Sequence, residues 1–213
     1  MSSEIIKVES VQGKVYEKLR EQIINRQLIP GEKITIRQIA EAYGVSVMPV
    51  REALRQLQSE GLVTYDRRGV TIKLLSAHEV QQIMEIRNRL EILAAEWALP
   101  NLKKSNEQRF EEIVREMDNQ MGDVNLWRSL NRQFHLEFYA MSGSKQLMQI
   151  IENLWVAIEP YMRLYTSTVA SLEFAQRQHH EILETIRKKD TEKLKQLIST
   201  HIGHTAKVIL ENF

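Results

Sequence analysis

Three histidines in the second half of the chain lie where helical spacing would turn them inward. His135 is at the edge of the apolar stripe of LWRSLNRQFHLEFYAM, and Asn131 precedes it by four residues, so the two side chains can reach a common point. His179 and His201 repeat in phase with apolar residues of their own helices. The neighbouring His180 repeats in phase with charged residues, so we expect it to be solvated.

The turn Lys188-Lys189-Asp190 is predicted to join two antiparallel helices. His179 lies about ten residues before it and His201 about twelve after it, so the two imidazoles would stand at nearly the same height. Imidazole is the commonest transition-metal ligand, and a site with three of them keeps an open coordination position. Each histidine could instead be a hydrogen-bonded core residue, but three in phase favour a divalent metal site.

Arg87 is predicted to lean onto an apolar helix face, because Ile83, Ile86, Leu90, Leu93 and Trp97 repeat at intervals of three and four. A charge on that face needs a partner. The partner could be Glu91, one turn later on the same helix, or a carboxylate ligand held in a cavity.

These residues belong to a chain of 213 residues that has no cysteine, so disulfides and thiolate metal sites are excluded. Glycine and proline are scarce, at 8 and 4, which predicts a mainly helical fold. Residues 1–75 hold 12 basic against 9 acidic residues, and the remainder holds 17 against 19. No signal-peptide pattern or membrane-length apolar run is visible, so we expect a cytoplasmic protein without membrane contact.

The stretch GVSVMPVREAL predicts a helix-turn-helix. Gly44 permits the turn after a helix at residues 36–43, and Ser46 is a suitable first cap of the next helix. Pro49 falls in that helix's first turn, where its missing N–H costs nothing. Arg51 lies near the helix N-terminus and away from the apolar stripe, where such helices meet base edges in the major groove.

A β-hairpin is predicted next, because the β-prone runs 62–65 and 70–74 flank DRRG. Its tip carries Arg67, Arg68 and Gly69, which suit contact with phosphate or the minor groove. A solvated turn is the alternative for the two arginines.

The segment PGEKITIRQIAEAYGVSVMPVREALRQLQSEGLV resembles the winged helix-turn-helix of the GntR family of transcription regulators. The resemblance implies that Arg37, Ser46, Arg51 and the wing glycine Gly69 touch DNA. This sequence departs from the family pattern after the serine, where Val47 and Met48 replace the usual Arg and Thr. Apolar side chains can meet a thymine methyl but cannot read guanine, so we expect a different operator; Val47 could also simply close the apolar end of the helix.

The second half resembles the FCD effector domain of the FadR subfamily in EIRNRLEILAAEWA, NRQFHLEFYAMSGS and HHEILETIRKKD. The resemblance implies a homodimer, and a divalent metal held by one aspartate and three histidines, with a small carboxylate effector completing its coordination. The matching positions here are Asn131, His135, His179 and His201, with an amide in place of the carboxylate. Arg87 matches the family's inward arginine near the effector.

The sequence thus predicts a mainly α protein with a winged helix-turn-helix at 1–75 and an all-helical effector and dimerisation domain at 76–213. The predicted function is a regulator, expected to be a repressor, that binds a short pseudo-palindromic operator in double-stranded DNA. Zinc or nickel is the expected metal, with manganese as a third candidate. The alternatives are a metalloenzyme and a metal-stabilised helical interaction module that uses the same three histidines.

Overall fold

The computed structural model describes residues 10–24, 27–28, 31, 33–66, 69–73, 75–166 and 169–213. The chain divides into two compact units, Met1–Leu75 and Ser76–Phe213. The first unit is a winged helix with a small antiparallel sheet and the second consists of helices, so the predicted fold class is confirmed.

The first unit contains three helices and three strands among its described residues. They are α1 (Val11–Ile24), β1 (Lys33–Ile34), α2 (Ile36–Tyr43), α3 (Val47–Ser59), β2 (Val63–Asp66) and β3 (Gly69–Ile72). The strands form an antiparallel sheet in the order β1-β3-β2. The buried face of α3, made by Val50, Ala53, Leu54 and Leu57, packs against α1 and α2.

The turn between α2 and α3 follows from the residues at its ends. The Thr35 hydroxyl accepts from the backbone N–H of Gln38, and the Gln38 side chain accepts from the Thr35 backbone, which starts α2 with a reciprocal cap. Gly44 ends α2 in the left-handed region at φ 64°, a conformation that favours glycine. The turn therefore sends the chain directly into α3, with Ser46 at the cap position.

The hairpin is tighter than predicted. Asp66 pairs with Gly69, so only residues 67–68 form the connection, and Arg67 and Arg68 lie outside the described residues. Strand β1 was not among the predicted elements; it pairs with β3 through Lys33 opposite Thr71. A strand of two residues is too short to show an alternating pattern.

In the part of the chain that the structure describes, the second unit is built from six long α-helices and one single-turn α-helix, with short 3₁₀ turns at Leu99–Asn101 and Glu159–Tyr161. They are α4 (Ala77–Ala98), α5 (Lys104–Asn119), α6 (Val124–Ala140), α7 (Lys145–Ile158), α8 (Met162–Tyr165), α9 (Val169–Lys188) and α10 (Thr191–Glu211). The break predicted at 166–171 is shorter than expected, because α9 already begins at Val169. Its residues 167–168 lie outside the described residues.

The buried face of α4 differs from the predicted one. Its buried residues include Val80, Met84, Arg87 and Glu91, whereas Ile86 and Trp97 of the predicted apolar stripe are 48% and 47% exposed. The prediction placed Arg87 at the margin of the core face, but the polar pair Arg87–Glu91 lies within it. The predicted apolar stripe is therefore only partly covered within one chain, since Ile83, Leu90 and Leu93 are half-buried.

None of the helices that the structure describes is long and apolar enough to span a membrane.

Candidate functional site

His135, His179 and His201 meet inside the second unit. They come from α6, α9 and α10, and each offers a ring nitrogen within 4.8 Å of the others. All three imidazoles are buried, His179 completely. The helical phases of the sequence therefore bring together the three predicted histidines, whereas His180 is exposed and bonds to Asp118.

The spacing of the histidines suits ligands of one ion. The Nε2 atoms of His135 and His179 are 3.1 Å apart. Two neighbouring imidazole nitrogens that each lie about 2.0–2.1 Å from a metal are separated by about 2.9–3.4 Å. Asn131 lines a small cavity together with His135 and His201, and its Oδ1 is buried without a hydrogen-bond partner among the described residues. An oxygen left in that state costs free energy, so the residues present fit a cation better than an empty core.

Two neighbours orient the imidazoles through their other ring nitrogen. Gln178 Oε1 lies 2.9 Å from His201 Nδ1, and since the amide oxygen accepts, Nδ1 donates and Nε2 keeps its lone pair. The Tyr139 hydroxyl lies 3.3 Å from His135 Nδ1. Such outer partners fix the tautomer and the ring orientation of metal-binding histidines.

The environment keeps the three imidazoles neutral. Burial, and then the positive charge of Arg87, lowers the pKa of His201 to about 3. Burial and the neighbouring histidines likewise hold the pKa values of His135 and His179 well below 6.5. Neutral imidazoles have free lone pairs at neutral pH, which is the state that metal binding requires.

Arg87 and Glu91 form a buried ion pair beside the histidines. Arg87 Nε donates to Glu91 Oε1 at 2.7 Å, and Trp155 Nε1 donates to the same oxygen at 2.9 Å. The guanidinium also lies 4.2 Å from the centre of the Trp155 ring. Of the two partners that the sequence left open for Arg87, Glu91 is thus present in the structure. Among the described residues, Arg87 Nη1 meets only the thioether of Met84, a weak acceptor at 3.6 Å.

A small enclosed cavity lies between these groups. Its lining includes the polar residues Arg87, Glu91, Asn131, His135, His201 and Thr205, and the apolar and aromatic residues Trp127, Trp155, Met84, Met162, Tyr165 and Ile202. The cavity volume that the centre of a water molecule can occupy is about 20 Å³, which is enough for roughly one or two waters. A larger ligand would have to move side chains such as Met84 and Met162.

Several residues of the site were absent from the predicted set. Tyr139 could have been found, because it follows His135 by one helical turn. Gln178 and Trp155 carry no comparable signal, since their contacts depend on how α9 faces α10 and how α7 faces α4. Glu91 was predicted only as a partner for Arg87. It also accepts a hydrogen bond from Trp155 Nε1, and its charge adds to the effect of burial in raising the pKa of Tyr139.

The residues predicted to read DNA are on the surface of the first unit where the structure describes them. Arg51, Val47 and Met48 are exposed on the first turns of α3, and Ser46 makes no capping hydrogen bond through its described side chain. Arg37 is exposed on α2 and pairs with Glu41 at 2.9 Å. Gly69 starts β3 at φ 141°, and a Cβ there would lie 3.1 Å from the Ile34 carbonyl oxygen, so the wing requires glycine for its own packing. Arg68 lies outside the described residues.

A winged helix linked to a helical domain with an internal polar cavity defines a class of protein, the two-domain DNA-binding regulator. Comparison with known families agrees: residues 11–72 match the bacterial regulatory proteins of the gntR family, and residues 82–204 match the FCD domain. The chain belongs to the GntR family of transcription regulators and carries an FCD domain.

Individual relatives cover almost the whole chain. The transcriptional regulator YdhC of Bacillus subtilis is 32% identical over 89% of this chain and 86% of its own length. The repressor GlaR of Escherichia coli is 26% identical over 88% of this chain and 90% of its own length. The regulator McbR of Escherichia coli is 25% identical over 92% of this chain and 90% of its own length. Its solved structure superposes with a TM-score of 0.82 over 96% of this chain and 99% of the McbR chain. These relatives are regulators and not enzymes, which decides against the metalloenzyme alternative.

Proposed function

We propose that this regulator is a repressor that binds a short pseudo-palindromic operator as a homodimer and responds to a small carboxylate through a metal ion in the helical domain. The observation that carries the metal site is the convergence of three buried, neutral imidazoles beside an unpartnered amide oxygen. GlaR, a relative over most of the chain, is a repressor, which supports the sign of regulation. Action on chromosomal DNA would take place in the cytoplasm.

The DNA contact is proposed for α3 and the wing. Arg51 projects from the first turns of α3, where side chains of a helix-turn-helix reach base edges. Val47 and Met48 beside it offer apolar surface that could meet thymine methyl groups. The Ser46 hydroxyl makes no capping hydrogen bond to α3, so it can bond to a phosphate. Arg37, Arg68 and Gly69 are proposed as further contacts to the DNA backbone.

The metal is proposed to be held by His135, His179 and His201, with Asn131 as a fourth, weaker ligand. A set dominated by imidazole favours the later transition metals, so we rank zinc and nickel above manganese. A neutral amide is a poorer donor than a carboxylate, so we expect lower affinity than in family members with aspartate at this position. When bound, the ion would supply positive charge and an open coordination position to an anionic ligand.

The effector is proposed to be a small carboxylate that also meets Arg87. Within the described part of the chain, the acceptor of Arg87 Nη1 is the Met84 sulfur, so a carboxylate edge would replace a weak acceptor by a strong one. The cavity of about 20 Å³ is too small for such a ligand, so binding would displace its apolar wall. Arg87 lies on α4, which begins directly after Ser76 at the boundary of the two units, so a shift of α4 would reach the connection to the DNA-binding unit.

A melting experiment tests the metal site. Added Zn²⁺ or Ni²⁺ binds the folded chain and raises its melting temperature by linkage, and a chelator removes the increase. We predict that His179→Ala abolishes the metal-dependent shift and that His180→Ala, a change at the exposed neighbour, retains it. If both variants retain the shift, the ion is bound elsewhere and the proposed site is wrong.

A further inference from the structure

Two side chains separate the enclosed cavity beside the histidines from a groove on the surface. The groove has a volume of about 340 Å³ and lies between α4 and α10. Met84 on α4 and Ile202 on α10 line this groove and also line the enclosed cavity. Both side chains are buried, at 2% and 4% exposure. Each helix therefore supplies one side chain to the partition between the cavity and the groove.

The helical positions that follow these two residues show the same division. One turn after the shared residue of α4, Arg87 lines the cavity and Asn88 lines the groove. One turn after the shared residue of α10, Thr205 lines the cavity and Ala206 lines the groove. Residues three and four positions later lie on either side of a helical residue. The cavity and the groove thus run side by side along both helices.

Met84 is the more adaptable half of the partition. Its unbranched side chain has three rotatable bonds, whereas the β-branched side chain of Ile202 is stiff at χ1. The Met84 sulfur lies 3.6 Å from Arg87 Nη1, where the edge of a carboxylate would meet the guanidinium group. Rotation of Met84 toward the groove would open the partition and uncover Nη1 in one step.

The groove has room for that rotation. Gly203 lines it, and a Cβ built on this glycine would meet no described atom within 4 Å. Glycine inside a helix is less favourable than alanine, so the formation of α10 does not require it. The exposed charges among the lining residues are Lys207 and Glu85, which have opposite signs. Selection for an anion therefore depends on Arg87 behind the partition.

We propose that the groove between α4 and α10 is the entrance through which a small carboxylate and the metal ion reach the cavity, and that Met84 is its gate. This inference rests on the proposed effector and metal site. The gate joins entry to recognition, because the side chain that closes the passage also covers the arginine that the carboxylate would meet.

A single buried thiol tests the route without any metal. The chain has no cysteine, so Thr205→Cys places its one thiol in the cavity, at a position that is 5% exposed. The rate of its reaction with methyl methanethiosulfonate, with chelator present, measures passage into the cavity. Adding Met84→Ala should raise this rate about 10-fold, because a buried group reacts in proportion to the population of the open state.

Met162→Ala is the matched control for the gate. Met162 lines the same cavity and is absent from the lining of the groove, so its truncation makes a similar hole in another wall. We expect the thiol to react at the rate of the parent protein in this variant. Equal acceleration by Met84→Ala and Met162→Ala would mean that any loss of packing admits the reagent, and would overturn the inference.

A substitution at Gly203 tests the groove from outside. Gly203→Leu should fill the space beside Met84 and lower the rate of thiol modification about 10-fold, since local opening then lacks room. Gly203→Ala also replaces glycine by a good helix former but adds little bulk, so it should leave the rate near that of the parent. Equal slowing by both substitutions would show that the thiol reacts through unfolding of α10 and would overturn the entrance.

Metal exchange tests the gate at the proposed centre. Co²⁺ binding to the full chain without the added cysteine, and Co²⁺ transfer to excess chelator, give the association and dissociation rates. Gly203→Leu should lower both rates by the same factor and leave Kd unchanged, because Gly203 lines the path and not the cavity. A changed Kd with an unchanged association rate would contradict the gate. If wild type binds no Co²⁺, the proposed metal site fails, and the thiol rates still decide whether the groove is the entrance.

Discussion

The three buried histidines make the stability of the metal-free protein depend on pH. Burial and Arg87 hold the pKa of His201 at about 3, whereas histidine in an unfolded chain titrates near ~6.5. Below pH ~6.5 the unfolded chain binds a proton that the folded chain excludes, so stability is complete above that pH and is lost as the pH falls toward the folded pKa.

We predict that His201→Gln flattens this dependence. In wild type, His201 alone contributes up to about 1.4 kcal/mol per pH unit to the slope of the unfolding free energy against pH. His135 and His179 shift in the same direction and leave a residual slope. Urea unfolding between pH 7 and 4, with chelator present, measures the slopes, and His180→Gln serves as the exposed control. Equal slopes in wild type and His201→Gln would mean that His201 protonates while folded.

The site shows which residues a sequence can predict. Helical phase placed His135, His179 and His201 inward, because each sits among apolar neighbours that repeat with the turn of the helix. The Gln178–His201 contact joins two helices, and its existence depends on their rotation and height, which no single-helix period contains. Gln178 was therefore found as an orienting partner only in the structure.

Among the elements, α3 carries the proposed sequence recognition. Arg51 is exposed on its first turns and lies off the buried face. Arg51→Ala should lose about 1–3 kcal/mol of operator binding while it leaves the fold and most of the non-specific affinity unchanged. Arg55→Ala is the matched control, because Arg55 lies one turn later and pairs with Glu52. Binding curves on operator and random DNA at one salt concentration separate the two effects, and equal losses on both DNAs would make Arg51 a phosphate contact.

The wing depends on Gly69 for a structural reason. A Cβ at this position would lie 3.1 Å from the Ile34 carbonyl oxygen, and φ is 141°. Gly69→Ala should therefore destabilise the β1–β3 pairing by about 2–3 kcal/mol. At Gly44 an added Cβ would have no described atom within 4 Å, so the cost of Gly44→Ala comes from the left-handed backbone conformation. That substitution should destabilise the protein by about 1 kcal/mol. Hydrogen exchange of the strand peptides in the full chain measures the difference, and equal protection in Gly69→Ala and wild type would contradict this explanation.

Sequence signals predicted the elements best where local chemistry decides their ends. The helix predicted at residues 36–43, ended by Gly44, has the bounds that α2 has in the structure. The predicted core face of α4 was wrong because it was drawn from apolar residues alone, which left the charged pair Arg87–Glu91 at its margin, although the two side chains satisfy each other inside the core. Strand β1 was missed because its formation depends on pairing with β3 and not on its own two residues.

At the scale of the whole molecule, a ligand in the helical domain would contact several helices at once. Arg87, Asn131, His179 and His201 come from α4, α6, α9 and α10. Cross-linking them through one ion and one carboxylate would favour a single arrangement of the bundle. Such a ligand changes the DNA-binding state only if it binds one arrangement of the helices more tightly than another. The coupling free energy between ligand binding and DNA binding is set by the difference between these two affinities.

Pairing of two chains is the remaining element of the proposal. A pseudo-palindromic operator requires two recognition helices related by a two-fold axis. Ile86 and Trp97 lie on the same face of α4 and are about half exposed, although their apolar stripe is regular enough to predict a buried face from sequence. We propose a second copy of the chain as the partner that covers this face, because a two-fold contact uses the same patch on each chain.

We predict that a charge on this stripe separates the dimer. Sedimentation should give a dimer for wild type, whereas Ile86→Asp should sediment toward the 25.0 kDa monomer and bind operator more weakly. Leu126→Asp is the matched control, since Leu126 is an exposed leucine on α6, and it should remain dimeric. Operator affinity should recover when Ile86→Asp is raised in concentration, because the recognition helix itself is intact and only association is weakened. A wild-type chain that stays monomeric both free and on operator DNA would exclude the dimer, and a dimeric Ile86→Asp would place the contact on another face.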